Sequence, residues 1–149
     1  MSNLDDIYRE IILDHYRTPR NRGELPEPAI KAEGHNPLCG DEITVYLDVR
    51  DGIVNDIKLS GHGCSISQAS SSLMSAAVKG KTIEQVRNTI ATFKQLMTLE
   101  EGAENEPVNL RQLGEIAALA GVVKFPVRIK CATLAWNTLV QALGDLPDA

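Results

Sequence analysis

Between Leu4 and His15 the apolar and aromatic residues recur at Leu4, Ile7, Tyr8, Ile11 and Ile12, the spacing of one helical face. Ser2 or Asn3 can cap that helix, Asp5 and Asp6 fall in its favourable first turn, and Thr18-Pro19 ends it because the residue before proline is pushed out of the α region. A passage punctuated by Gly23, Pro26, Pro28, Gly34 and Pro37 follows, and within it only Ala29 to Ala32 predicts a short edge strand. From Asp41 the period changes to two. Ile43, Val45, Leu47 and Val49 share one face, and Glu42, Thr44, Tyr46 and Asp48 share the other. Asp51-Gly52 is a strong hairpin signal, and Ile53, Ile57 and Leu59 continue into a return strand, so an antiparallel hairpin with one buried face is expected.

Beyond the hairpin the spacing is helical again. Ser65 to Lys79 predicts a helix stopped by Gly80, and Thr82, with Glu84 and Gln85 in the first turn, opens a second that runs to about Met97. Glu100, Glu101, Glu104 and Glu106 around Gly102 make the segment Leu99 to Pro107 a solvated acidic loop, too interrupted for a charged binding tail. Arg111 to Ala120 predicts a third helix ended by Gly121. Pro126 opens the last one, Val127 to Leu143, which Gly144 and Pro147 stop. The serine-rich run Ser65 to Ser75 is expected to pack closely against a neighbour. The whole, residues 1–149, is expected to be a single compact α/β (α+β) domain, with an extended helical and acidic-loop region at about 81–110.

Composition narrows the function classes. With 43% hydrophobic and 23% charged residues in a chain of 149, the protein is ordinary globular material. A domain of that size buries roughly 68 to 70% of the surface its unfolded chain exposes, so it needs no disulfides. Fifteen Lys+Arg against 20 Asp+Glu give a net charge of −5, and aromatics are only 4%, which argues against nucleic acid as a partner. Arg17, Arg20 and Arg22 form a small basic patch, expected to complete a helix C-terminus, with a docking edge for a partner as the alternative. No basic and apolar leader opens the sequence, and Ile116 to Val123, broken by Gly121, is too short to span a membrane. The expectation is a cytoplasmic protein whose three cysteines stay reduced.

Those cysteines carry the candidate chemistry. Cys39 lies in the turn Asn36-Pro37-Leu38-Cys39-Gly40-Asp41, where Asp41 follows closely enough for thiolate and carboxylate to converge on one ion. Cys64 lies in Gly61-His62-Gly63-Cys64-Ser65, at a helix N-terminus that favours the thiolate. Cys131, early in the last helix and three positions after Arg128, reads as core when taken alone. Together with Asp41 the three cysteines make four deprotonatable ligands suited to tetrahedral zinc, although no Cys-x-x-Cys is present. His15 reads as a helix C-terminal cation and His62 as a glycine-flanked turn residue. A Cys-His hydrolase built from Cys39 with His35 or His62 is disfavoured because no third group orients the histidine.

Leu38-Cys39-Gly40-Asp41, Gly61-His62-Gly63-Cys64 with Ala69-Ser70-Ser71-Ser72-Leu73, and Arg128-Ile129-Lys130-Cys131-Ala132-Thr133-Leu134-Ala135-Trp136 resemble the three cysteine motifs of the IscU/NifU N-terminal family. His15-Tyr16-Arg17 and Pro19-Arg20-Asn21 fit as well. The resemblance implies a small antiparallel sheet of about three strands packed against four to five helices, and a role in iron-sulfur cluster biogenesis. Scaffold members usually have His before the third cysteine and Leu-Pro-Pro-Val-Lys upstream; this chain has Lys130 and Phe125-Pro126-Val127-Arg128-Ile129, and a longer stretch between Cys64 and Cys131. Those departures are similar to the SufU-type branch, and imply a zinc-dependent sulfurtransferase that receives sulfur from a SufS-like cysteine desulfurase for downstream SUF assembly proteins.

Cys39, on the Pro/Gly turn, is the expected persulfide acceptor, and Arg128 and Lys130 are expected to offset the negative charge of the ligand set. The resemblance implies that the desulfurase lends a histidine to the zinc and frees Cys39, while Asp41, Cys64 and Cys131 hold the metal. The alternatives are an iron-sulfur scaffold using the same four ligands, with a transient cluster as cargo, and a structural zinc domain that recruits partners.

Overall fold

A computed structural model describes residues 3–37, 40–97, 114–124 and 126–144. In chain order the elements are α1 (Asn3–Arg17), β1 (Ile30–Asn36), β2 (Asp41–Arg50), β3 (Ile53–His62), α2 (Ser65–Val78), α3 (Ile83–Met97), a 3-10 helix (Gly114–Lys124) and α4 (Pro126–Leu143). The strands form one antiparallel sheet in the order β1-β2-β3. Asp51 and Gly52 turn the hairpin with φ of 54° and 75°, the left-handed pair that matches strand twist in a two-residue loop.

Because side chains alternate along a strand, the period-two pattern becomes an inner and an outer face. Ile43, Val45, Leu47, Ile57 and Leu59 are buried on the inner side, where α4 lies against β1 and β2 and α2 against β3. The outer residues Glu33, His35, Glu42 and His62 are exposed, and Tyr46, with the Lys31 ammonium 5.9 Å from its ring centre, is the outward residue that is buried. Trp136 of α4 is fully buried and stacks on Phe93 of α3 at 4.2 Å between ring centres. Its Nε1 donates to Ser70 Oγ at 3.0 Å, and that hydroxyl donates to the Ala132 carbonyl at 2.6 Å. The small serines of α2 therefore let α4 come close and then bond to it, as their pattern predicts.

Tertiary packing overrides four local expectations. β1 continues beyond Ala32 through Asn36, because β2 supplies partners for every residue from Ile30 to Asn36. Gly34 is needed within it: a methyl there would overlap Thr138 of α4. The expected α-helix over 111–120 is, over its described part, a 3-10 helix that runs past Gly121 to Lys124. Ile116, Ala117, Ala118 and Leu119 are all buried, four in a row, which leaves no solvent face for an amphipathic α-helix.

The other two corrections concern histidines. His15 is not a surface cation; it is 2% exposed, with Nδ1 2.7 Å from Ser72 Oγ and Nε2 3.1 Å from Glu115 Oε1, so it joins α1 to α2 and to the 3-10 helix. His62 is the last residue of β3, paired opposite Glu42, rather than a turn residue. In the basic patch, Arg20 closes on the end of α1 through Asp14 and the Thr18 carbonyl, whereas Arg22 reaches across to the Gly61 carbonyl of β3. The expected acidic loop over 99–107, the expected acceptor Cys39 and residues 111–113 lie outside the described residues. Among the described residues no helix is long and apolar enough to cross a membrane.

Candidate metal centre

The donor groups gather at one end of the sheet. Between β1 and β2 the Gly40 N–H donates to the Asn36 carbonyl at 2.9 Å, and Gly40 takes a left-handed φ of 72° that an L side chain disfavours. Asp41 follows as the first residue of β2, on the inner face, fully buried. β3 ends beside it, and the chain passes through Gly63 into α2. Cys64 is the N-cap of α2: its Sγ accepts from the Ser67 N–H at 3.5 Å, so the sulfur faces free amides at the positive end of the helix.

The Cys64 N–H also donates to Asp41 Oδ1 at 2.9 Å, and the Cys64 Sγ lies 3.8 Å from Asp41 Oδ2. Gly63 permits this approach, since a Cβ there would stand 2.6 Å from Asp41 Oδ1. Gly63 is the site-shaping residue that sequence reasoning missed; the Gly61-His62-Gly63 spacing before Cys64 was its only signal.

Cys131 comes from the opposite side. It is 2% exposed, its Sγ is 3.8 Å from the Val127 carbonyl one turn earlier, and the Ser70 bonds to Trp136 and Ala132 fix the helix that carries it. One ligand atom each from Asp41, Cys64 and Cys131 then lie within 4.8 Å of one another. Two sulfurs and a carboxylate oxygen, from buried Asp41 and Cys131 and half-buried Cys64, form a donor set that a metal ion can bind, and the chemistry fits zinc. A fully buried carboxylate with a single backbone donor on one oxygen also gains from a cation beside the other. Arg128 and Lys130 are exposed in the first turns of α4, Arg128 one turn before Cys131.

A family model described as the NifU-like N-terminal domain matches residues 7–132. The chain belongs to that family. Members of known description resemble it along nearly their full length. The zinc-dependent sulfurtransferase SufU of Bacillus subtilis (strain 168) is 46% identical over 143 residues, an alignment that covers 96% of this chain and 93% of the relative. The iron-sulfur cluster assembly scaffold protein IscU of Thermotoga maritima is 39% identical over 140 residues, covering 94% of each. Among solved structures, the NifU-like protein (N-terminal) of Brucella abortus superposes with a TM-score of 0.80 at 30% identity, covering 95% of both chains. A SUF-system protein of Fervidobacterium islandicum, described as a candidate cluster assembly scaffold, reaches a TM-score of 0.81 at 34% identity over 93% of this chain and 97% of that one. The three cysteine motifs thus identified the NifU-like family correctly, together with its three-stranded antiparallel sheet and packed helices.

Proposed function

We propose that this chain is a zinc-dependent sulfurtransferase of iron-sulfur cluster biogenesis, which accepts persulfide sulfur from a cysteine desulfurase on Cys39 and passes it to downstream SUF assembly proteins in the cytoplasm. The observation that carries the reading is the Asp41, Cys64 and Cys131 donor set, with Asp41 and Cys131 buried and Cys64 half-buried, in a chain 46% identical to a zinc-dependent sulfurtransferase. Asp41, Cys64 and Cys131 hold the metal, with Cys39 as the fourth ligand. Zinc, when bound, keeps its thiol ligands deprotonated at neutral pH.

The residues divide the work. The Ser67 amide at the N-terminus of α2 holds the Cys64 sulfur in place, and the Cys64 amide keeps Asp41 aimed at the same point. Arg128 and Lys130 offset the negative charge that three thiolates and a carboxylate bring together. In the transfer step the Cys39 thiolate attacks the outer sulfur of the donor's persulfide. A new S–S bond forms at Cys39, the donor's S–S bond breaks, and the donor cysteine leaves as a thiolate, with no net oxidation or reduction.

The test is to mix zinc-loaded, iron-free protein with a cysteine desulfurase and labelled cysteine. Sulfide formation should rise, the label should appear on the protein, and Cys39→Ala should lose both. Label retained by Cys39→Ala would overturn the acceptor assignment. A second reading, an iron-sulfur scaffold on the same ligands, draws on the scaffold relatives of Thermotoga maritima and Streptococcus pyogenes. Anaerobic reconstitution that yields one transferable cluster per chain, with no stimulation of the desulfurase, would favour it.

A further inference from the structure

The outer face of the sheet ends in a row that the centre above does not use. The strand registers set His35 of β1 directly opposite Glu42 of β2, and Glu42 directly opposite His62 of β3. Directly opposed residues of antiparallel strands project to the same face with their Cβ atoms about 4.5 to 5.5 Å apart, so three adjacent strands present imidazole, carboxylate and imidazole side by side. All three are exposed. His62 Nε2 already stands 3.7 Å from Glu42 Oε1. Two donors on one ion at about 2.1 Å in tetrahedral geometry lie about 3.4 Å apart, so that pair needs almost no rearrangement to share a metal.

On the other flank His35 and Glu42 line one surface depression with Glu33 and Thr44. His35 is exposed and directly opposite Glu42, and Glu33, next on the same face of β1, is a second carboxylate beside the row. No fold-level reason requires these types: exposed ion pairs add little stability, and glutamate is a poor strand residue.

We propose that His35, Glu42 and His62 form a second, solvent-facing site for a divalent late first-row transition metal ion, separate from the Asp41, Cys64 and Cys131 set. Two imidazoles and a carboxylate on one face are a donor set for zinc, nickel, cobalt or copper that leaves coordination positions open. The two sites stand back to back, because Asp41 and Glu42 are consecutive in β2 and point to opposite faces. Thiolates hold zinc more firmly than an exposed nitrogen and oxygen set, so the outer site fills second. This proposal does not depend on sulfur transfer.

The full chain, zinc-loaded at one equivalent, is titrated with Ni2+ and followed by calorimetry and by backbone-amide NMR. The expected result is one Ni2+ per chain with zinc retained, and paramagnetic broadening centred on His35, Glu42 and His62. His35→Ala and His62→Ala should each weaken binding at least tenfold, and Glu42→Gln several-fold. Should an alanine variant fail to fold by circular dichroism, His35→Gln and His62→Gln take its place. The chain has three histidines and His15 is buried, so the double variant removes every exposed imidazole. Absence of saturable Ni2+ binding, unchanged affinity in the double variant, binding only with loss of zinc, or two independent ions that each need one histidine would overturn the proposal.

Discussion

Asp41 and Glu42 are neighbours in the chain and carboxylates both, yet they live in different media. Asp41 faces the helices, is fully buried, and accepts a hydrogen bond from the Cys64 amide at 2.9 Å. Glu42 faces solvent and pairs loosely with His62 at 3.7 Å. The alternation of a strand makes the first difference; the layer of α2 and α4 on one side of the sheet makes the rest. On the inner face a small change in shape or charge has no water to absorb it, whereas on the outer face solvent replaces whatever is lost.

The contrast breaks most sharply at the carboxylates themselves. Asp41→Ala should cut zinc retention under mild chelation by about 10-fold or more, while Glu42→Ala leaves tightly held zinc unchanged. Metal analysis after dialysis against a weak chelator checks this, and equal retention in the two variants would remove Asp41 from the ligand set. Next comes Gly34→Ala, whose methyl would overlap Thr138 and press on Leu134. Overpacking of that kind costs about 1 to 3 kcal/mol, against less than about 0.5 kcal/mol for Glu33→Ala on the outer face one residue away. Thermal or urea melts of the two variants give the comparison.

Ser70→Ala leaves the buried Trp136 Nε1 without its acceptor, and should cost about 1 to 3 kcal/mol. Because Ser70 ties α2 to α4, the same variant should release zinc faster than wild type. A stability loss with unchanged zinc release would show that this contact holds the fold but not the centre.

The smallest effect belongs to the exposed ion pairs. The hydrogen bond from Arg20 holds the Asp14 carboxyl below its usual 3.8. A depressed carboxylate contributes stability above that unfolded value and loses it as pH falls through the folded one, so the contribution fades only below 3.8. Being fully exposed it is slight. An NMR titration of Arg20→Gln should show the Asp14 midpoint move upward, and an unmoved midpoint would refute the assigned cause.

Much of the fold was legible because its signals are local. Asp51-Gly52 between two alternating runs predicts the hairpin, Gly80 and Thr82 punctuate α2 and α3, and Pro126 and Gly144 bracket α4. Thr82 and Gln85 even complete a reciprocal cap, with the Gln85 N–H on Thr82 Oγ1 and the Thr82 N–H on Gln85 Oε1. What was hidden depends on a neighbour. The second half of β1 contains Gly34, His35 and Asn36, poor strand formers that only pairing with β2 makes extended. His15 sits in the last turn of a helix, where a histidine usually meets water; its burial follows from Ser72 and Glu115, distant in sequence.

By itself the sequence determined where backbone periodicity changes, which face of each element is apolar, and which side chains own metal-binding chemistry, since these follow from residue type and spacing within a few positions. Only the tertiary structure decided which of them meet. The Cys64 amide finds Asp41 across 23 residues of chain, and Cys131 reaches the pair because Gly34 lets α4 settle on the sheet and Ser70 anchors it there. Convergence of that kind rests on close approach between elements far apart in the chain, and no local pattern of polar and apolar residues encodes a distance.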